Sequence, residues 1–179
     1  MSYYDKYPLI KSAWIYIAID VRHMNICKVG ITQQVEARYR VKGANTANPF
    51  YTLFNSYDMA GIGISKRELL DFEDYLHRKM ALRIPMIGTD GYSEWLIMSP
   101  FNAAEEIEYR IGRGFSEPGF MNEDGDILYE NIRKYRHEHR PNPHLIAEKV
   151  NGMANEYVEY LLRWHEMNTP GWMPWTYKK

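Results

Sequence analysis

Three short runs of residues predict β-strands in the first third of the chain. Residues 14–19 are almost wholly apolar and rich in β-branched and aromatic side chains, which is typical of a strand buried on both faces. A polar connection of hairpin length leads to the second run, residues 26–31, which is broken near its end by Gly30. The third run, residues 50–58, alternates Phe50, Thr52, Phe54 and Ser56 with Tyr51, Leu53, Asn55 and Tyr57. On their own these runs indicate a small antiparallel sheet of three strands in an ordinary α+β domain.

Helix signals follow the second and third strands and recur toward the C-terminus. Thr32 is placed to cap a helix that runs to about residue 41. The capping box Ser65-Lys-Arg-Glu68 predicts a helix over residues 65–80. By the same capping logic a short helix begins at Asn102, and apolar side chains at helical spacing predict the longest helix over residues 142–168.

The helix predicted over residues 65–80 carries a carboxylate on its apolar face. Its apolar stripe consists of Leu69, Phe72, Leu76 and Met80. Glu73 projects into that stripe, and His77 lies one turn further on at its edge. Burial of a carboxylate is costly unless a positive charge offsets it. Two explanations stay open, a structural salt bridge to a base such as Arg38 and a bound metal ion.

Composition limits the class of protein. A chain of 179 residues fits one domain or one domain with a substantial appendage, and 45% hydrophobic with 15% aromatic residues supply an ample core. The sequence has no apolar run of membrane-spanning length and no apolar segment typical of a signal peptide at its start. Cys27 is the single cysteine, which excludes an internal disulfide and suits a reducing interior. We therefore expect an intracellular, cytoplasmic protein without a membrane partner.

The distribution of charge matters more than its sum. A net charge of −1 argues mildly against a general nucleic-acid binder, yet residues 28–42 hold four basic residues against one acidic residue. A second basic run follows at residues 133–140, and an acidic block over residues 104–130 separates the two. Three explanations of the acidic block stay open, a solvated face, a partner surface and a mimic that screens the DNA site, and we favour the solvated face. We expect DNA contacts from Lys28, Arg40, Lys42, Arg133, Lys134 and Arg136.

Four short motifs, taken in order, resemble those of the GIY-YIG endonuclease superfamily. The family's motif tyrosine, the tripeptide ending in glycine, the helix arginine and the later glutamate fall on Tyr16, Lys28-Val29-Gly30, Arg38 and Glu73. The string Lys-Val-Gly-Ile-Thr at residues 28–32 resembles a phage- and virus-associated branch of the superfamily, as do Glu-x-x-Leu-His at residues 73–77 and Ser-Glu-Trp-Leu at residues 93–96. The resemblance covers residues 12–100, a little over half of the chain.

This resemblance implies a fold and a chemistry. It implies an α+β domain over residues 10–100, in which helices flank a small antiparallel three-stranded sheet, followed by a mainly helical C-terminal extension over residues 101–179. The implied activity is metal-dependent DNA endonuclease, encoded by a phage and acting in a host cell. Glu73 would hold Mg²⁺ or Mn²⁺, Arg38 would offset charge on the phosphoryl oxygens, and Tyr16 would orient or deprotonate the attacking water. His77 is a second candidate base.

Two positions depart from the family pattern. Trp14 stands where the first motif has glycine, and Lys28 stands where the second motif has the tyrosine that helps to position water. Lys28 would instead contact a phosphate or hold the nucleophile. The departure keeps a second hypothesis open, a non-catalytic module on the same fold that binds DNA or a cellular protein. Under either hypothesis the C-terminal helices offer a surface for a homodimer or a protein partner.

Overall fold

The computed structural model describes residues 3–44, 47–113, 133–136 and 152–168. These residues form an α+β structure around one antiparallel sheet. The strands are β1 (Trp14–Asp20), β2 (Cys27–Thr32), β3 (Tyr51–Asp58), β4 (Arg83–Pro85), β5 (Tyr92–Leu96) and β6 (Arg133–Arg136). The helices are α1 (Ala37–Lys42), α2 (Lys66–Lys79), α3 (Pro100–Arg113) and α4 (Asn155–Asn168), with 3-10 turns at Tyr3–Lys6 and Ala60–Ile62.

The sheet has six strands in the order β4-β5-β2-β1-β3-β6, so the predicted count of three strands is wrong. The three predicted strands are present as its centre, and every residue of β1 is buried. The first two pair as the predicted hairpin, with Tyr16 opposite Gly30. On its other side Tyr16 lies opposite Ser56 of β3. The additional strands all lie outside this centre, toward the two edges of the sheet.

A bulge in β3 changes which side chains face the main core. The pairing of β1 with β3 shifts between Ile17, which lies opposite Asn55, and Ala18, which lies opposite Leu53. Phe54 is the extra residue at this point, and a bulge of this kind interrupts strict alternation. Phe54 and Tyr57 consequently belong to the same core cluster, whereas strict alternation had predicted them on opposite faces.

Two apolar clusters lie against the sheet. The larger one joins inward residues of the strands, such as Ile17, to the predicted α2 stripe and to Ile107 of α3 and Tyr157 of α4. The described part of the C-terminal extension therefore packs on the sheet of residues 10–100. The smaller cluster lies beneath α1 and consists of Trp14, Tyr16, Ala18, Ala37, Val41, Tyr51 and Leu53, with Trp95 packed against it. In the described part of the chain no helix is long and apolar enough to cross a membrane.

Three helix starts differ from the prediction. Helix α1 begins after Glu36, because β2 continues through Thr32, whose hydroxyl accepts the N–H of Gln34 at 3.2 Å instead of capping a helix. Helix α3 begins at Pro100, and the Ser99 hydroxyl accepts the N–H of residue 102 at 3.2 Å, so serine replaces the predicted cap. The predicted helix over residues 142–168 is α-helical from residue 155; residue 152 has 3-10 conformation, residues 153 and 154 are not helical, and residues 142–151 lie outside the described residues.

Candidate functional site

Tyr16 and Gly30 lie in close contact at the centre of the sheet. The two residues lie opposite each other on β1 and β2, and Tyr16 is 1% exposed. A Cβ atom on Gly30 would lie 2.7 Å from the Tyr16 hydroxyl oxygen and 2.8 Å from its Cζ. The tyrosine ring therefore lies across a position that only glycine can occupy without displacement. The neighbouring motif residue Val29 is fully buried in the larger core cluster, on the other side of the strand.

The surroundings of Tyr16 keep its hydroxyl protonated. Burial raises the pKa of Tyr16, because removal of water disfavours the phenolate, and the charge of Glu94 adds to this effect. Lys28 and hydrogen bonding from Arg40 act in the opposite direction but are smaller. Burial also raises the pKa of Tyr51, which interacts with the Tyr16 hydroxyl. A protonated phenol can orient a water molecule, but it is a poor base at neutral pH.

The arginine beside Tyr16 is Arg40. Arg38, which the resemblance implies, has a side chain 60% exposed that pairs with Glu36 and lies 3.4 Å from the Tyr39 hydroxyl. Successive helical residues differ by about 100° around the axis, so residues 38 and 40 leave α1 on opposite flanks of its buried stripe. The structure therefore brings Arg40, and not Arg38, to Tyr16.

Lys28 is held by a carboxylate that sequence analysis did not assign to the site. Its Nζ lies 2.9 Å from Oε2 of Glu94, and the two side chains are 22% and 44% exposed. Strand β5 carries Glu94 to this point because it pairs with β2 at Lys28 and Trp95. The charge of Glu94 acts on Tyr16, and it also acts on Glu73. The sequence feature that could have identified Glu94 is that it is the single acidic residue in the β-prone run of residues 92–96.

Glu73 belongs to helix α2 and lies beside the same strand, β2. It is half-buried, and burial raises its pKa to about 7, with a further contribution from Glu94. A hydrogen bond from the Ile31 N–H lowers this pKa by a smaller amount, as do the positive charges of Lys28 and Arg83. Among the described residues Glu73 forms no ion pair, and Arg38 pairs elsewhere, so the structural salt bridge between these two is not found. A nearby cation would stabilise the ionised form of a carboxylate that is half-buried and has no ion-pair partner.

His77 ties helix α2 to the edge of β2. Its Nε2 lies 2.7 Å from the Val29 carbonyl oxygen, which can only accept, so Nε2 carries a proton. Burial lowers the pKa of His77, which keeps the ring neutral and leaves Nδ1 as its acceptor. Among the described residues β5 pairs with β2 only at the first two positions of β2. Glu73 and His77, one helical turn apart, thus face backbone groups of β2 that no strand pairs with.

The predicted DNA-binding residues lie on two separate elements besides β2. Arg40 and Lys42 are exposed on α1. The basic run of Arg133, Lys134 and Arg136 forms β6 at the edge of the sheet, two strands from Tyr16. The strand register joins β6 to β2 across the sheet, in a row in which Tyr135, Ser56, Tyr16 and Gly30 lie opposite one another in turn.

The donor set fits a lightly coordinated divalent ion. The described residues contain no group of three or more His, Cys, Asp or Glu side chains that could hold a metal. Glu73 offers a half-buried carboxylate that forms no ion pair among the described residues, and the charge of Glu94 acts on it. Mg²⁺ typically binds through one or two carboxylates together with water and substrate oxygens. Glu73 would therefore be the protein ligand for such an ion.

Comparison of the chain with protein-family models, with curated proteins and with solved structures found no match in any of the three.

Proposed function

We propose that this chain is a metal-dependent DNA endonuclease that hydrolyses phosphodiester bonds on a GIY-YIG-like fold. One observation supports the proposal most. Over four consecutive residues, β2 brings together Lys28, the glycine on which Tyr16 lies, and the backbone N–H that faces Glu73. A phenol, an ammonium and a carboxylate able to hold a metal ion, all at one strand, can together serve phosphodiester hydrolysis.

Each group has a defined task in this proposal. Lys28 and Arg40 bind the scissile phosphate, and the guanidinium can offset charge on two phosphoryl oxygens by parallel hydrogen bonds. The Tyr16 hydroxyl keeps its proton and orients the attacking water. Glu73 would hold Mg²⁺ or Mn²⁺, which when bound polarises the phosphate and stabilises the leaving oxygen. His77 positions helix α2 through its bond to the strand.

A second candidate function is a non-catalytic module that binds DNA or a protein partner on the same fold. Two observations favour it. Tyr16 is buried beneath α1, and the Lys28 ammonium already has a partner in Glu94. Both observations describe groups that are less available to substrate than those of an open nuclease site.

Cleavage of supercoiled plasmid separates the two functions. With Mg²⁺ or Mn²⁺ the wild type should nick or linearise the plasmid, and a chelator should stop it. Glu73→Gln should abolish cleavage, because the amide has nearly the same shape but no charge to hold the ion. Arg40→Ala should slow cleavage about 10²–10³-fold, the usual cost of one transition-state donor. Arg38→Ala is the matched control on the same helix and should have little effect.

Two results would change the assignment. A wild type that binds DNA or a partner but cuts nothing with any divalent ion supports the binding module. Strong loss in Arg38→Ala with normal rates in Arg40→Ala would return the phosphate role to the arginine that the resemblance implies.

A further inference from the structure

The ion pair between Lys28 and Glu94 lies at the rim of the proposed site. A lysine side chain is long and flexible, so its ammonium has a fixed position only where a partner holds it. Here the 2.9 Å contact to Glu94 supplies that partner, and the side chains of 22% and 44% exposure leave the pair within reach of substrate. The ammonium has three donors and can keep one bond to Glu94 while another meets a phosphate oxygen.

The strand that carries Glu94 is fixed on both sides of it. The Ser93 hydroxyl donates to the Ile84 carbonyl at 2.6 Å and accepts the N–H of Trp95 at 3.2 Å. Arg83 donates to the Ser93 carbonyl at 2.9 Å. The Trp95 ring lies 6.1 Å from the ring of Tyr51. Glu94 is thus presented from a constrained backbone, as a positioning group must be.

The other nearby carboxylate does not take this role. Glu73 is carried by α2 and faces the N–H of Ile31, three residues further along β2 than Lys28. Glu94 comes from the strand that pairs directly with β2 at Lys28. The position of the ammonium along the strand is therefore set by β5.

We propose that Glu94 is a positioning residue, which holds the Lys28 ammonium beside the Tyr16–Gly30 contact so that the lysine can bind the scissile phosphate. This inference rests on the proposed nuclease function. It also explains what Lys28 would do where the family pattern has tyrosine, since an ammonium held in position by a carboxylate can bind a phosphate oxygen there.

Glu94→Gln tests this role because it keeps the side-chain shape and removes the charge. We expect kcat for DNA cleavage to fall about 10- to 100-fold, since small misplacement of an active-site group has effects of this size. KM should stay equal or fall, because one negative charge facing the DNA backbone is lost. Glu94→Asp should recover part of the rate. A merely structural role would instead lower thermal stability and would not separate kcat from KM in this way.

Two further measurements show whether Glu94 acts through the lysine. In a Lys28→Met background, Glu94→Gln should have no additional effect on kcat. Glu106→Gln is the matched control, because Glu106 and Arg110 form an ion pair of similar exposure, 42% and 20%, on helix α3. That control should leave kcat and KM as in the wild type.

An NMR measurement keeps this inference separate from the nuclease assignment. The Lys28 ammonium should give a ¹H–¹⁵N signal protected from exchange in the wild type, and Glu94→Gln should remove it while Glu106→Gln retains it. An unchanged signal in Glu94→Gln, a wild-type kcat in that variant, or an additive effect in Lys28→Met would overturn the positioning role. A wild type that cuts no DNA yet shows the protected signal would overturn the nuclease function and retain Glu94 as the residue that holds Lys28.

Discussion

Gly30→Ala is the sharpest test of the site geometry, because one methyl group would collide with the buried tyrosine. The added Cβ would lie 2.7 Å from the Tyr16 hydroxyl oxygen, 2.8 Å from Cζ and 3.2 Å from Cε1. Tyr16 is fully covered and cannot swing into solvent. Overpacking of a core costs about 1–3 kcal/mol, and two contacts below 3.0 Å with a confined ring place this change near the upper end, about 2–3 kcal/mol.

Thermal and chemical denaturation measure this loss. In a chain of 179 residues a loss of about 2–3 kcal/mol should lower Tm by about 4–12 °C. Gly43→Ala is the matched control, since its Cβ would meet only backbone oxygens at 3.7 and 3.8 Å and its φ of −62° suits alanine. That variant should be unchanged or gain about 0.4–1 kcal/mol.

A double mutant identifies the partner in the collision. Tyr16→Phe removes the atom at 2.7 Å but leaves Cζ at 2.8 Å, so it should relieve Gly30→Ala only in part. The double mutant should then be less destabilised than the sum of the single mutants. A Gly30→Ala protein within about 0.5 kcal/mol of the wild type, the range of ordinary surface changes, would refute the placement of the ring on β2.

Three further predictions concern groups that hold the fold around the site. Ser65→Ala removes the capping box of α2 and should cost about 1 kcal/mol in urea denaturation, and an unchanged midpoint would count against the cap. Hydrogen bonding from Arg22 lowers the pKa of Asp20, so the stability that the ionised carboxylate contributes is present above about pH 4 and is lost as pH falls. Asp20→Asn should cost about 1–2 kcal/mol at pH 7 and should make stability depend less on pH in the acid range. Burial lowers the pKa of His77, so the stability contributed by its neutral buried ring is present above about pH 6.5 and lost as pH falls and the ring must take up a proton. The bond to the Val29 carbonyl opposes this shift only in part, so NMR titration should find the pKa of His77 below that of an ordinary histidine, and a normal titration would contradict its burial.

The centre of the fold could be predicted because its signals are local. The β1–β2 hairpin and helix α2 follow from apolar runs, a capping box and helical spacing, each within a short window. The outer strands could not be predicted in this way. Strand β4 has only three residues, and β6 joins β3 from about 75 positions further along the chain. Such pairing depends on tertiary contacts that periodicity does not record.

The candidate site likewise contains residues that local patterns mark and residues that depend on distant contacts. Tyr16, Gly30 and Glu73 could be selected from short motifs, since each is marked by its own strand or helix. The choice between Arg38 and Arg40 depends on where α1 begins, and the predicted cap at Thr32 was four residues before the observed one at Glu36. Glu94 depends on the register of β5 against β2, which is a contact between distant parts of the chain. Local patterns therefore select part of the candidate site but do not complete its set of charges.

The free edge of β2 makes the fold and the proposed chemistry depend on the same helix. Glu73 faces the Ile31 N–H and His77 binds the Val29 carbonyl, so α2 covers backbone groups that a neighbouring strand would otherwise pair. An alanine at position 73 would remove both the charge and this cover, and its loss of activity would be ambiguous. Glutamine keeps an amide oxygen that can face the same N–H. A Glu73→Gln protein that is folded but inactive would therefore assign the loss to the charge, and with it to the cation that the charge would hold.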